Sequence, residues 1–166
     1  TDTTTLSDAE QAEARSRRIG FVFQFFQLVA RLTAAENIEL PMALAGHPAP
    51  QRRERVARIL ADMGLGDRGH HRPDKLSGGQ RQRVAIGRAI AMNPDVILAD
   101  EPTGNLDRHS GEEVVAILET LNRDAGLTLV VVTHDPALGE RPPRRVKMLD
   151  GRIESDSGPG RRDHAG

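Results

Sequence analysis

The sequence predicts an α/β fold, a parallel sheet flanked by helices. Three observations predict it. Apolar runs of strand length recur at Ile19 to Phe25, Val96 to Ala99 and Leu127 to Val132. Amphipathic helical stretches separate them, punctuated by Gly and Pro. The runs at 96–99 and 127–132 are apolar at nearly every position, which suits parallel strands covered on both sides by their connecting helices.

Residues 1–18 are polar, and Ser7-Asp8-Ala9-Glu10 has the spacing of a capping box before a short charged helix. Ile19 to Phe25 alternates, which puts Ile19, Phe21, Phe23 and Phe25 on one strand face, expected to be buried. Thr33-Ala34-Ala35-Glu36 offers a second capping box, for a helix reaching Leu40, where Pro41 interrupts the backbone pattern. Gly46 to Pro50 reads as a loop. Val56, Ile59, Leu60 and Met63 form one apolar stripe, predicting a helix over about 51–63 that Gly64 and Gly66 end. A further helix is expected from about Gly79 to Met92, stopped by Asn93-Pro94, and another around Val114, Ile117, Leu118 and Leu121. Arg145 to Ile153 reads as a hairpin turning at Asp150-Gly151. The expected domains are a polar segment at 1–18, one ATPase-like domain over 19–154 with a helical part at about 28–92, and a flexible tail at 155–166.

A chain of 166 residues is long enough for one core. With 2% aromatics, no Trp or Tyr, and all four Phe inside 21–26, that core must be built from Leu, Val, Ile and Ala. The 23 basic and 24 acidic residues nearly cancel, leaving −1, so no global field draws in nucleic acid and none is expected as a partner. There is no cysteine, which excludes disulfides and thiolate metal sites. No apolar run is long enough to span a bilayer. The expectation is a cytoplasmic protein that works at a membrane only if another subunit holds it there.

The chemistry-bearing residues gather at strand ends. Open parallel sheets bind ligands outside the carboxyl ends of their strands, where Asp100 and Glu101 fall. A carboxylate there can hold the magnesium that bridges nucleotide phosphates, which suits Asp100. Its neighbour Glu101 suits a general base for water. The plainer alternative is two acids capping a turn before Pro102. Ser77, with the backbone N–H groups of Gly78 and Gly79, opens a helix whose positive end attracts phosphate oxygens. The alternative there is an ordinary N-cap. His134 ends the strand from Leu127, and a neutral imidazole there can hydrogen-bond a terminal phosphate and orient water. Gln24 closes the first strand, where its amide reaches magnesium or the attacking water, or else is satisfied by backbone. Phe25, Phe26, Leu28 and Val29 are either core or a docking surface for a membrane subunit. Arg81, Arg83 and Arg88 read as a solvated helix face or salt-bridge partners. No histidine-based metal site is expected.

These residues together resemble ATP-binding cassette (ABC) subunits, of the branch serving lipoprotein release and macrolide export. The resemblance is carried by Ile19 to Gln24, by Leu76-Ser77-Gly78-Gly79-Gln80 with Arg81 to Ile86 after it, by Leu98 to Asp107, and by Thr133-His134-Asp135-Pro136. It covers about residues 6 to 154. It implies a P-loop NTPase-like nucleotide-binding domain with an α-helical signature subdomain. It also implies specific roles: Gln24 as the Q-loop glutamine, Ser77, Gly78, Gly79 and Gln80 as the signature acting in trans, Asp100 as the Walker B aspartate, Glu101 as the catalytic glutamate, Asp107 as the D-loop aspartate and His134 as the switch histidine. ATP and Mg2+ would be the cofactors. A second ABC subunit would pair head to tail with this one, and a membrane-spanning transporter subunit would hold both peripherally at the inner face of the cell membrane.

One departure stands out. A phosphate-cradling Gly-x-x-x-x-Gly-Lys occurs nowhere in the 166 residues. The resemblance implies an N-terminally incomplete chain, with the upstream strands and P-loop missing, that binds ATP poorly alone. The implied function is the ATP-hydrolysing subunit of an exporter of lipoprotein, lipid or drug. The alternative is a non-catalytic ABC-like module that binds an intact ATPase subunit. A chromosome-maintenance or ribosome-associated ATPase would need long heptad arms or a second cassette, and neither is present. Pro142-Pro143, where a helix ordinarily follows the switch histidine in the family, is a lesser departure.

Overall fold

Strand β1 (Ile19–Phe23) lies parallel to β2 (Val96–Asp100), with Ile19 opposite Val96 and Phe23 opposite Asp100. Strand β3 (Thr128–Val132) takes the other side of β2 in a three-stranded parallel sheet of order β1-β2-β3. The Thr128 N–H donates to the Asp95 carbonyl at 2.9 Å, which ties the starts of β2 and β3 together. The structure is a computed structural model that describes Ser7, residues 10–12 and residues 17–158. It comprises two compact units, residues 1–131 and 132–166, and each is described by itself.

Three helices connect β1 to β2. Helix α1 (Ala34–Leu44) starts at Thr33, whose side chain accepts from the Glu36 N–H at 3.2 Å while the Glu36 carboxylate accepts from the Thr33 N–H at 2.7 Å. It does not stop at Leu40: Pro41 lies inside it. Ile38 and Met42, buried on either side of Pro41, anchor both halves to the core, and this packing outweighs the missing backbone bond. Helix α2 (Ala49–Asp62) begins two residues earlier than expected: Pro48 stands extended as its N-cap, and Pro50 fits the first turn, where no N–H is needed. Gly64, at φ +63°, ends it as expected. Helix α3 (Gly78–Ala89) carries Val84, Ala85 and Ile86 into the core, and Asn93 at φ 52° turns the chain toward β2. Helix α4 (Arg108–Ala125) joins β2 to β3 and ends on Gly126 in the left-handed region.

The core of this unit is aliphatic throughout, with Val22, Ile38, Ile59, Ile86, Ile97 and Val114 fully buried at its centre. The sheet buries the opposite face of β1 from the one expected. Gly20 and Val22 face the core, whereas Phe21 is 38% exposed and Phe25, beyond the strand end, is 72% exposed. The reason lies at Gly20, where a Cβ would stand 2.5 Å from the Ala89 carbonyl oxygen. Helix α3 therefore presses its backbone onto β1 on the side that has no side chain to resist it. Along β3 the exposed positions include Val130 at 44% and Val132 at 59%, so coverage is one-sided among the described residues.

In the second unit a single helical turn, α5 (Pro136–Gly139), ends before Pro142-Pro143. Strands β4 (Val146–Leu149) and β5 (Arg152–Asp156) form the expected hairpin. Asp150 at φ 48° and Gly151 at φ 74° meet the positive dihedrals such a tight turn requires. Residues 155–158, read as part of a loose tail, are instead joined to the hairpin. The Arg144 guanidinium donates to both Asp156 oxygens, at 3.2 and 2.9 Å, and the Ser157 N–H donates to the Arg145 carbonyl. The rest of that tail lies outside the described residues, as does most of the N-terminal helix. The Ser7–Glu10 capping box is present, with the Ser7 N–H donating to Glu10 at 2.8 Å.

Candidate functional site

The register of β1 on β2 decides the placement of three predicted residues. Because Phe23 pairs with Asp100, the chain leaves both strands at the same edge, with Gln24 on one side and Glu101 on the other. Asp100 is exposed and Glu101 half-buried. Glu101 sits at φ 45°, in the left-handed region that costs a non-glycine residue roughly 1–2 kcal/mol. The bend there starts two tight turns, Gly104 N–H to Glu101 carbonyl at 3.1 Å and Leu106 N–H to Thr103 carbonyl at 3.0 Å. These turns deliver the chain to Asp107, whose Oδ1 accepts from the Ser110 N–H at 3.0 Å and caps α4. Hydrogen bonds from the Ser110 backbone and side chain hold the Asp107 carboxyl below the usual aspartate range.

Gln24 is gripped by the same 101–107 segment. Its carbonyl accepts from Asn105 Nδ2 at 3.0 Å, and its side chain lies over Gly104, where a Cβ would come within 2.7 Å of Gln24 Nε2. A side chain at Gly104 would therefore displace the Gln24 amide from its place. Beyond Gln24 the chain bends sharply at Phe26 (φ 58°) and Gln27 (φ 53°). Arg88 donates to the carbonyls of Gln27 at 2.6 Å and Phe26 at 3.1 Å, and the Arg81 guanidinium stacks 5.1 Å from the Phe26 ring centre. Burial pushes the Arg88 guanidinium below its ordinary value. Arg83 donates to the Met63 carbonyl at 3.2 Å. These three arginines thus serve as carbonyl and ring partners rather than as the salt-bridge set or solvated face expected from sequence. The apolar 25–29 stretch divides: Leu28 packs on the core, while Phe25 and Val29 are exposed.

The signature segment forms a second cluster. Ser77 caps α3, its Oγ accepting from the Gln80 N–H at 3.2 Å while Gln80 Oε1 accepts from the Ser77 N–H at 3.0 Å. The Ser77 hydroxyl proton and the first-turn amides at Gly78 and Gly79 remain as donors at a positive helix end. Both glycines also have a packing reason. A Cβ at Gly79 would meet the Ser110 Cβ at 2.9 Å, and one at Gly78 would meet Leu106 at 3.3 Å. The start of α3 is therefore seated against the start of α4, which places Ser77 to Gln80 beside the Asn105–Ser110 segment that includes Asp107.

His134 belongs to the other unit. It is exposed, two residues past β3, in a turn where Thr133 Oγ1 accepts from the Asp135 N–H at 3.0 Å and Asp135 caps α5 by accepting from the Ala137 N–H at 2.9 Å. One residue escaped the sequence reading altogether. Gln82 is fully buried, and its Nε2 donates to the Pro102 carbonyl at 2.7 Å. A glutamine two places past the signature, at a position that faces the core by helical periodicity, is the only signal that marks it.

Residues 1–104 match the family model described as "ABC transporter". The chain is 52% identical over 165 residues to the lipoprotein-releasing system ATP-binding protein LolD of Anaeromyxobacter dehalogenans, covering 99% of this chain and 69% of that protein. It is 54% identical over 149 residues to an ABC transporter ATP-binding protein of Thermotoga maritima, covering 90% of this chain and 63% of that one. Among solved structures it resembles the dimeric post-hydrolysis state of the ATP-binding cassette MJ0796 bound to ADP and Pi. That match has a TM-score of 0.82 and 42% identity, over 94% of this chain and 69% of the other. The chain thus spans about two thirds of the length of the proteins it matches.

Proposed function

We propose that this chain, which belongs to the ABC transporter family, is the part of an ATP-hydrolysing export subunit that carries the water-activating edge and the signature helix. One observation carries this reading: the Phe23–Asp100 register brings Gln24, Asp100 and Glu101 to a single sheet edge. The ATP-binding relatives and the neighbour bound to ADP and Pi supply the nucleotide class.

The residues fit magnesium. Asp100 and Gln24 offer hard oxygen donors at one sheet edge, the donor type that magnesium takes. Asp100 and Gln24 would hold it. When bound, it would offset the negative charge of the phosphates. The same residues do not complete a phosphate site, since the 166 residues lack the Gly-x-x-x-x-Gly-Lys loop.

In this reading Glu101, which directly follows the end of β2, accepts the proton of the attacking water on its carboxylate. Gln24 orients the same water. His134, which the resemblance makes the switch histidine, would supply an imidazole N–H to a terminal phosphate oxygen. Ser77 and the amides of Gly78 and Gly79 donate to phosphate held by a second subunit, with Gln80 bracing Ser77 through the capping box and Asp107 fixing the start of α4 beside it. A head-to-tail partner and a membrane-spanning subunit, at the inner face of the membrane, complete the transporter. The cargo class is lipoprotein, lipid or drug. In a chain restored to the length of its relatives, Glu101→Gln should retain ATP while phosphate release is lost. Phosphate release at the unsubstituted rate would contradict the role given to Glu101.

A further inference from the structure

Gln82 ties the signature helix to both strand ends at once. Its side chain has no exposure, and α3, on which it stands, begins at Ser77 five residues earlier. Its Nε2 lies 2.7 Å from the Pro102 carbonyl and 3.4 Å from the Phe23 carbonyl. Phe23 immediately precedes Gln24, and Pro102 immediately follows Glu101. Both neighbours are acceptors, so the amide has only one usable orientation, with the NH2 group toward them. Its Oε1 is buried without a protein partner. The long bond to Phe23 and the short one to Pro102 share one nitrogen, so any shift of α3 pulls on both carbonyls. Asn105 and Gly104 close the other side of the same junction, through the Gln24 carbonyl and side chain.

We propose that Gln82 is a positioning residue for hydrolysis, whose amide makes the Gln24 turn, the Glu101 bend and the helix opening at Ser77 move as one body. This rests on the function proposed above. Gln82 touches neither nucleotide nor water in this account. It acts by fixing the backbones on which Gln24 and Glu101 are carried, where misplacements of an ångström cost large factors in rate.

The test uses Gln82→Met, which keeps length and removes both donors, and Gln82→Glu, which keeps shape and turns an oxygen toward two carbonyl oxygens. The control is Ile59→Val, a core change in α2 distant in role from the site. In the same restored chain, kcat for ATP should fall about ten- to a hundredfold in either Gln82 variant with KM changed less than about threefold, while Ile59→Val leaves both unchanged. In the 166-residue chain, hydrogen exchange at residues 24–27 and 101–106 should quicken about tenfold relative to Ile59→Val at a similar loss of midpoint temperature. In the unsubstituted chain the Gln82 side-chain amide protons should exchange slowly, a reading that needs no variant to fold. Rates and exchange matching those of Ile59→Val, or free-amide exchange of Gln82 in the unsubstituted chain, would overturn the proposal. If the unsubstituted protein does not hydrolyse ATP, or if Glu101→Gln turns over normally, the functional reading fails by itself. The exchange results still decide whether Gln82 ties the two loops.

Discussion

Asn37 and Gln82 are the two polar side chains that lose all exposure among the described residues, and each holds a loop rather than a ligand. Asn37 accepts from the Val29 N–H at 2.8 Å and donates to the carbonyls of Val29, Leu32 and Thr33. It thereby fastens the stretch that follows the Gln24 turn. Asn37→Leu would strip those backbone groups of their partner and should cost about 3 kcal/mol, read as a fall in urea stability. A change within about 0.5 kcal/mol would mean the 29–33 stretch finds other partners. At this scale the acids, the signature serine and the closing glutamine of β1 were legible, because each stands at a strand or helix end that local pattern announces. Buried amides were not. Ser-x-x-Gln spacing singles out Gln80 as the partner of Ser77, but nothing in the order Gln80-Arg81-Gln82-Arg83 says that Gln82 reaches 20 residues ahead to Pro102.

Elements were legible where a capping residue or an apolar stripe sets them. Thr33 with Glu36 caps a helix as its spacing implies, and Ser77 opens one where expected, whereas the cap at Asp107 was not read from the sequence. What misled was the choice of face for β1, since Phe21 and Phe23 outweigh Gly20 in any hydrophobic pattern although Gly20 decides where α3 can sit. Gly20→Ala should therefore destabilise by at least about 2 kcal/mol, because the atom it meets is the Ala89 backbone carbonyl and not a side chain free to turn. Equal thermal midpoints for the two proteins would refute that packing. The caps also set a pH dependence. The carboxyls of Glu36 and Asp107 lie below their ordinary values, through hydrogen bonds from Thr33 and Ser110 respectively. A depressed folded value means that the stabilisation is present above the unfolded value near about 4 and is lost as pH falls through the folded one. Urea midpoints should hold from pH 7 to about 5 and decline below about 4. Asp107→Asn, which keeps a capping oxygen without a titrating proton, should flatten part of that decline.

On the scale of the chain as a whole, the parallel sheet and its helices were readable from alternating apolar runs, but one-sided coverage was not. Val130 and Val132 have the composition of strand residues buried on both faces, yet stand 44% and 59% exposed. Composition records what a strand prefers to meet, and cannot report whether anything meets it. The 166 residues also lack a phosphate cradle. By themselves they should show negligible magnesium-dependent ATPase, and robust turnover that Glu101→Gln removes would contradict this. In the proposed function, hydrolysis needs Glu101 of one subunit and Ser77 of another. Heterodimers of the restored chain, purified through two different tags and carrying Glu101→Gln and Ser77→Arg, separate this from hydrolysis within one subunit. With both changes on one subunit, each composite site is damaged and ATPase should vanish. With the changes on opposite subunits, one site keeps an intact Glu101 and an intact Ser77, and turnover should persist. The reverse pattern, with activity surviving only when both changes share a subunit, would contradict the account.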